Sequence, residues 1–163
     1  MITKAQFLAS LQHECDVAVH LHTKLSPDSF GYRPSPTQRT TLELLQYLGT
    51  IGIGAATCMV AGDWKRFAPF TERAKQMRAE EFPAAMARQK EELTALIEGL
   101  TDAQLATQMA PMPAGGEMPL GAALLNGPLK WLTAYKLQLF LYAKATGATN
   151  IGTSNAWGGV DRR

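Results

Sequence analysis

Apolar residues recur along this chain at steps of three, four and seven, the spacing that lays side chains along one face of a helix, and strand-type alternation is almost absent. Phe7, Leu11, Cys15, Ala18 and Leu25 mark a first stripe. Thr3 followed by Gln6 is a capping-box pattern, in which hydroxyl and amide reciprocally close backbone N–H groups left open in the first turn. A first helix therefore starts there and ends near Ser26-Pro27. Thr40 and Glu43 repeat the box, and Leu44, Leu45, Leu48 and Ile51 carry a second helix inward, with Gly52 and Gly54 permitting close approach by a neighbour. Pro83 in a first turn opens a third helix, whose core stripe is Phe82, Met86, Leu93, Leu96, Ile97 and Leu100.

Between these segments lie a Pro/Ser/Gly-rich loop (residues 26–39) and a charged connection (residues 63–80) with room for a short helix. Thr101 and Gln104 form another capping box, and residues 109–121 read as a flexible stretch in which Met109, Met112 and Met118 either pack under a loop or form a flap. A fourth helix runs from about Pro119 to a glycine stop at Gly147, and Pro128 is expected to kink or split it. The tail, residues 148–163, has no period, and Trp157 is expected to anchor it. The pattern predicts an all-α chain: one domain, residues 1–163, built as a four-helix bundle with an irregular tail.

Composition narrows the function classes. The 163 residues are 46% hydrophobic, enough for one core without staples, and the formal charge of +2 comes with no basic cluster that would neutralise phosphates, so no nucleic-acid partner is expected. The most lipid-like run, residues 47–61, is shorter than the roughly 20 residues of a membrane span, and no signal-peptide pattern opens the chain. A cytoplasmic protein without a membrane partner is the expectation, with Cys15 and Cys58 as reduced core residues.

Several short motifs then combine: Arg33-Pro34, the capped run Thr40 to Leu48, the LTDAQL turn of residues 100–105, Leu120-Gly121, and the AYKLQLFLYAKATG ending of residues 134–147. Together they resemble the DinB/YfiT-like superfamily over nearly the whole chain. The resemblance implies an up-down-down-up bundle, often dimeric, with a divalent zinc or nickel ion held near one end by three histidines. Some metal-dependent relatives transfer or isomerise substrates with small thiols such as glutathione, mycothiol or bacillithiol. Counting from Glu43 and back from Gln138, the three histidine positions fall on Tyr47, Trp131 and Tyr135. Indole offers no lone pair and a phenol must first ionise, so no metal cofactor is expected at these positions.

The three histidines that are present, His13, His20 and His22, all fall on the first helix. Helical geometry turns only His22 inward, leaving His13 and His20 as solvated groups. A metal site rebuilt on His22 with Glu14 and Glu43 stands as one alternative, and a structural His22 as the other. The aromatic set Tyr47, Trp131, Tyr135 and Tyr142, with Gln138 beside it, either fills the vacated cavity or lines a pocket for a small molecule. Two function classes follow: a metal-free bundle that binds a small ligand or a protein, and a metal-dependent, thiol-type transferase or hydrolase whose ligands have moved. A second apolar stripe on the fourth helix, Leu125, Leu129, Leu132 and Leu139, adds the expectation of a homodimer.

Overall fold

The computed structural model describes residues 3–162. The long helices are α1 (Lys4–His22), α2 (Thr41–Ala61), α4 (Phe82–Glu98) and α7 (Lys130–Ala145), with the shorter α3 (Ala68–Lys75), α5 (Asp102–Thr107) and α6 (Leu120–Leu124) between them. The three capping boxes read from the sequence are all formed. Thr3 and Gln6 exchange bonds of 3.0 and 3.1 Å, Thr40 and Glu43 of 2.7 and 3.1 Å, and Thr101 and Gln104 of 2.9 and 3.1 Å. Each satisfies two orphan donors of a first turn, so helix starts are fixed by local chemistry.

Cross-helix contacts set the topology. Lys4 reaches the Leu100 carbonyl, Gln12 meets Thr94, Asp16 pairs with Lys90 and His22 meets the Ala79 carbonyl, so α1 and α4 run antiparallel. Gln46 bonds the Met77 carbonyl and Gln89 the Leu48 carbonyl, so α2 and α4 run parallel. Tyr142 bonds the Arg39 carbonyl just before α2, while Leu132 abuts Gly52 and Gly127 abuts Met59, which makes α7 antiparallel to α2. The order is up-down-down-up, with α1 and α2 each packed against both α4 and α7.

The core runs from Phe7, Leu11 and Leu21 of α1 through Leu44, Leu48 and Met59 of α2 to Phe82, Leu93 and Ile97 of α4 and Leu132 and Leu139 of α7, all essentially out of solvent. Helix α2, at 21 residues, is long and apolar enough by length and composition to cross a membrane, contrary to the expectation from its most lipid-like run. Its apolar surface is instead buried among its neighbours. At Gly52 a methyl group would come within 3.0 Å of the Gln89 Oε1 and of a Leu132 methyl, which is why glycine stands there. Gln89 uses that space to accept from the Ile53 amide at 3.1 Å and donate to the Leu48 carbonyl at 2.9 Å.

Three expectations change. Residues 109–121, read as flexible, include an antiparallel hairpin, β1 (Met109–Pro111) with β2 (Glu117–Pro119). Its strands are three residues long, too short for an alternation to register, and positive-φ Gly115 and Gly116 make the bend. Trp157 meets the bundle as expected, its ring 4.4 Å from the Lys136 ammonium, though it is 48% exposed and Ile151, Asn155 and Ala156 are the buried tail residues. His20 is not a free surface group, because the Asn155 amide nitrogen lies 3.0 Å from its Nε2; His13 is exposed but bonds the Trp157 carbonyl at 2.7 Å. Finally, Leu132 and Leu139 of the proposed second stripe are fully inside the chain's own core, while Leu137 and Leu141 of α7 face out. The split expected from Pro128 is present as a π-helical turn, Leu125–Leu129, between α6 and α7.

Candidate functional site

Tyr47, about two turns into α2, and Tyr135 of α7 meet edge to face, with ring centroids 4.8 Å apart. Antiparallel α2 and α7 bring them together, and both rings are half-buried. The Arg39 guanidinium lies over this pair, its carbon 3.9 Å from the Tyr47 centroid and 5.4 Å from that of Tyr135. Such stacking of a cation on a ring face is electrostatically favourable and leaves the N–H edge of the guanidinium for other partners. Burial first, and the adjacent Tyr135 phenol second, push the Tyr47 hydroxyl up to about 12, so it is a proton donor at neutral pH.

Trp131 makes a second aromatic contact. One turn before Tyr135, it packs against Trp64, with centroids 6.3 Å apart, and close to Gly127, where any side chain would run into the Met59 methyl. Trp64 in turn donates to the Pro111 carbonyl at 3.1 Å, tying the β1–β2 hairpin to this second aromatic group. Tyr142 is buried, packs edge-on against Tyr32 at 5.4 Å, and donates to the Arg39 carbonyl at 3.0 Å while accepting from Gln138 at 2.6 Å. This small network fixes the backbone from which Arg39 projects.

The remaining candidates are dispersed. Glu43 is spent as the N-cap partner of α2 and pairs with Arg33 at 3.0 Å, and its backbone bond to Thr40 is the main reason its carboxyl sits below the usual range. His22 bonds the Ala79 carbonyl at 2.9 Å and packs on Phe82 at 5.4 Å; burial lowers its pKa. Glu14 faces Lys136. His22, Glu14 and Glu43 thus have three different sets of partners, and among the described residues no group of three or more His, Cys, Asp or Glu side chains is placed to hold a metal ion. Burial also pushes the Cys15 thiol up to about 12 and the Cys58 thiol up to about 11, which leaves both as neutral thiols rather than nucleophiles.

Sequence reading missed Arg39, Trp64 and Lys136. Arg39 lies outside the periodic segments and gives no signal of its stacking. Lys136 did leave one: it falls four residues after Leu132 and three before Leu139, a charge inside an apolar stripe. A groove of about 890 Å³ lies elsewhere, between the start of α1 and α5–α6, lined by Phe7, Leu8, Ile97 and Leu105 among others. None of the candidate residues borders it.

No family model matches the sequence, and no curated protein matches it either. Among solved structures, the crystal structure of a DinB-like protein, YjoA, from Bacillus subtilis aligns with 22% identity, over 87% of this chain and 92% of that one, with a TM-score of 0.68. At that identity the likeness speaks for the architecture, and it agrees with the helix order derived above: this chain has the DinB-like fold.

Proposed function

We propose that this chain is a metal-free bundle that binds a small-molecule ligand at Tyr47 and Tyr135, with Trp131 and its partner Trp64 as the adjoining apolar wall. The observation that carries the reading is the Arg39 guanidinium 3.9 Å over the Tyr47 ring. A fixed positive charge there opposes a divalent ion bound at the same phenols. The protonated Tyr47 phenol supports the same reading, since a metal would have to displace its proton. What the tyrosine pair, the cation and the indoles offer together is a recognition surface of aromatic faces with a few polar groups, the usual make-up of a small-molecule site.

Elemental analysis of untagged protein purified without chelator is expected to find no stoichiometric zinc or nickel. About one ion per chain, lost on Tyr47→Phe or Tyr135→Phe, would overturn the reading. Native mass spectrometry supplies the positive half: a co-purified small molecule that is lost in Tyr47→Ala but kept in a distant surface variant such as Glu91→Ala. Free, buried Cys15 and Cys58 suit a reducing compartment and support a cytoplasmic location. Leu137 and Leu141, one turn apart and exposed on α7, support a homodimer through that face. Light scattering that gives a monomer mass across micromolar concentrations would remove the dimer.

A further inference from the structure

We infer that Arg39, with the Tyr47 and Tyr135 phenols, forms an oxyanion site that takes a small-molecule carboxylate or phosphate. The inference rests on the ligand-binding reading above and names the chemistry of its ligand. Three observations converge. First, the guanidinium has its face taken by the tyrosine rings and, among the described residues, makes no hydrogen bond or ion pair through its N–H edge. Arginine presents those donors as a planar fork matched to carboxylate and phosphate oxygens, so the free edge is the part that recognises an oxyanion.

Second, the local charge is unbalanced. Glu43 is the acid within reach of both Arg33 and Arg39, as the influence of each on its carboxyl records, but its Oε2 already accepts from the Thr40 amide at 2.7 Å and from Arg33 at 3.0 Å. Two guanidiniums therefore share one carboxylate, whose Oε2 is taken by the Thr40 cap and by Arg33. An incoming anion would restore neutrality. Third, Arg39 is held in place from behind: the Tyr142 hydroxyl bonds its carbonyl, and Gln138 bonds that hydroxyl. A positioned cation loses less freedom on binding than a free surface arginine, which makes the site better organised than a solvated side chain.

Isothermal titration of the full chain with three probes tests this: benzoate, inorganic phosphate and the uncharged isostere benzamide. Benzoate or phosphate is expected to bind with an affinity that falls as salt rises, and the one preferred identifies the oxyanion. Arg39→Gln is expected to weaken that binding about tenfold or more, the worth of one charge-assisted bond, with Arg39→Lys in between because it keeps the charge and loses the fork. Thermal melts check that each variant is folded, and an unchanged melt for the half-exposed Arg39→Gln is expected. Equal binding of benzamide and benzoate, or oxyanion binding indifferent to Arg39→Gln, would overturn the oxyanion inference. A neutral co-purified molecule lost in Tyr47→Ala would then leave the ligand-binding reading standing, whereas no probe bound and no molecule retained would sink both.

Discussion

The Lys136 ammonium stands 2.7 Å from the Glu14 carboxylate in the interior of the bundle, with 1% of the lysine side chain and 13% of the glutamate exposed. The pair joins α7 to α1, and the Trp157 ring closes over the ammonium at 4.4 Å. Among the described residues neither buried atom has a regular hydrogen-bond partner, so each charge depends on the other. Removing one is therefore costly, while removing both is not. Lys136→Met is expected to destabilise the fold by about 3–5 kcal/mol in urea melts, and Lys136→Met with Glu14→Leu to recover most of that loss. A double variant no better than the single would show that packing, not the unpaired charge, sets the cost.

Trp131 and Trp64 test the second aromatic group. A fully buried large aromatic costs about 3–5 kcal/mol when cut to alanine, but Trp131 is only half-buried and leans on Trp64. Trp131→Ala is accordingly expected to cost about 2–3 kcal/mol, and Trp64→Ala to loosen the β1–β2 hairpin through the lost bond to Pro111. Hydrogen exchange would read the second effect directly. Faster exchange is expected in residues 109–119, with α1 and α4 unchanged.

What the sequence showed and hid divides along the range of the interactions. Thr3/Gln6, Thr40/Glu43 and Thr101/Gln104 are legible because a capping box is complete within four residues, and the stripes of α1, α2 and α4 because burial of one face follows the helical period. Pro128 was legible as a break for the same local reason. Arg39 was not, since it sits in an irregular loop ahead of α2, and of the two rings it covers Tyr47 lies in the next helix while Tyr135 lies 96 positions along the chain and is brought near by the antiparallel pairing of α2 and α7. The partners of the tail were hidden for a related reason. An exposed tryptophan and a buried asparagine invert the usual preference, and only the partners explain it: Trp157 covers Lys136, and Asn155 bonds His20 and Asp161.

Gly52 offers a sharper check on packing than any large residue. In a helix interior alanine is favoured over glycine by about 1 kcal/mol, so Gly52→Ala would stabilise an isolated α2. In the bundle its methyl would stand 3.0 Å from both the Gln89 Oε1 and a Leu132 methyl. Overpacking of this kind costs about 1–3 kcal/mol, and here it also pushes on the Gln89 bonds to Leu48 and Ile53. Net destabilisation is expected, seen as a lower Tm. A raised Tm would mean that α4 shifts freely, and that Gln89 does not fix its distance from α2.

The Tyr47 phenol gives a titration with a defined sign. Burial and the neighbouring Tyr135 hold its proton to about 12 in the folded chain, against 10.0 for an ordinary tyrosine. Between those two values the folded protein keeps a proton that the unfolded chain releases, so the free energy of unfolding falls as pH rises through that window. Below the ordinary tyrosine value both states are protonated and this group gives no slope. Phenolate absorbance of the native protein should show a late tyrosine step that vanishes in Tyr47→Phe. The same variant should lose less stability than the parent as pH is raised above 10, because the group that resists ionisation is gone. If Tyr47→Phe leaves both the absorbance curve and the alkaline melt unchanged, the phenol is not buried against Tyr135.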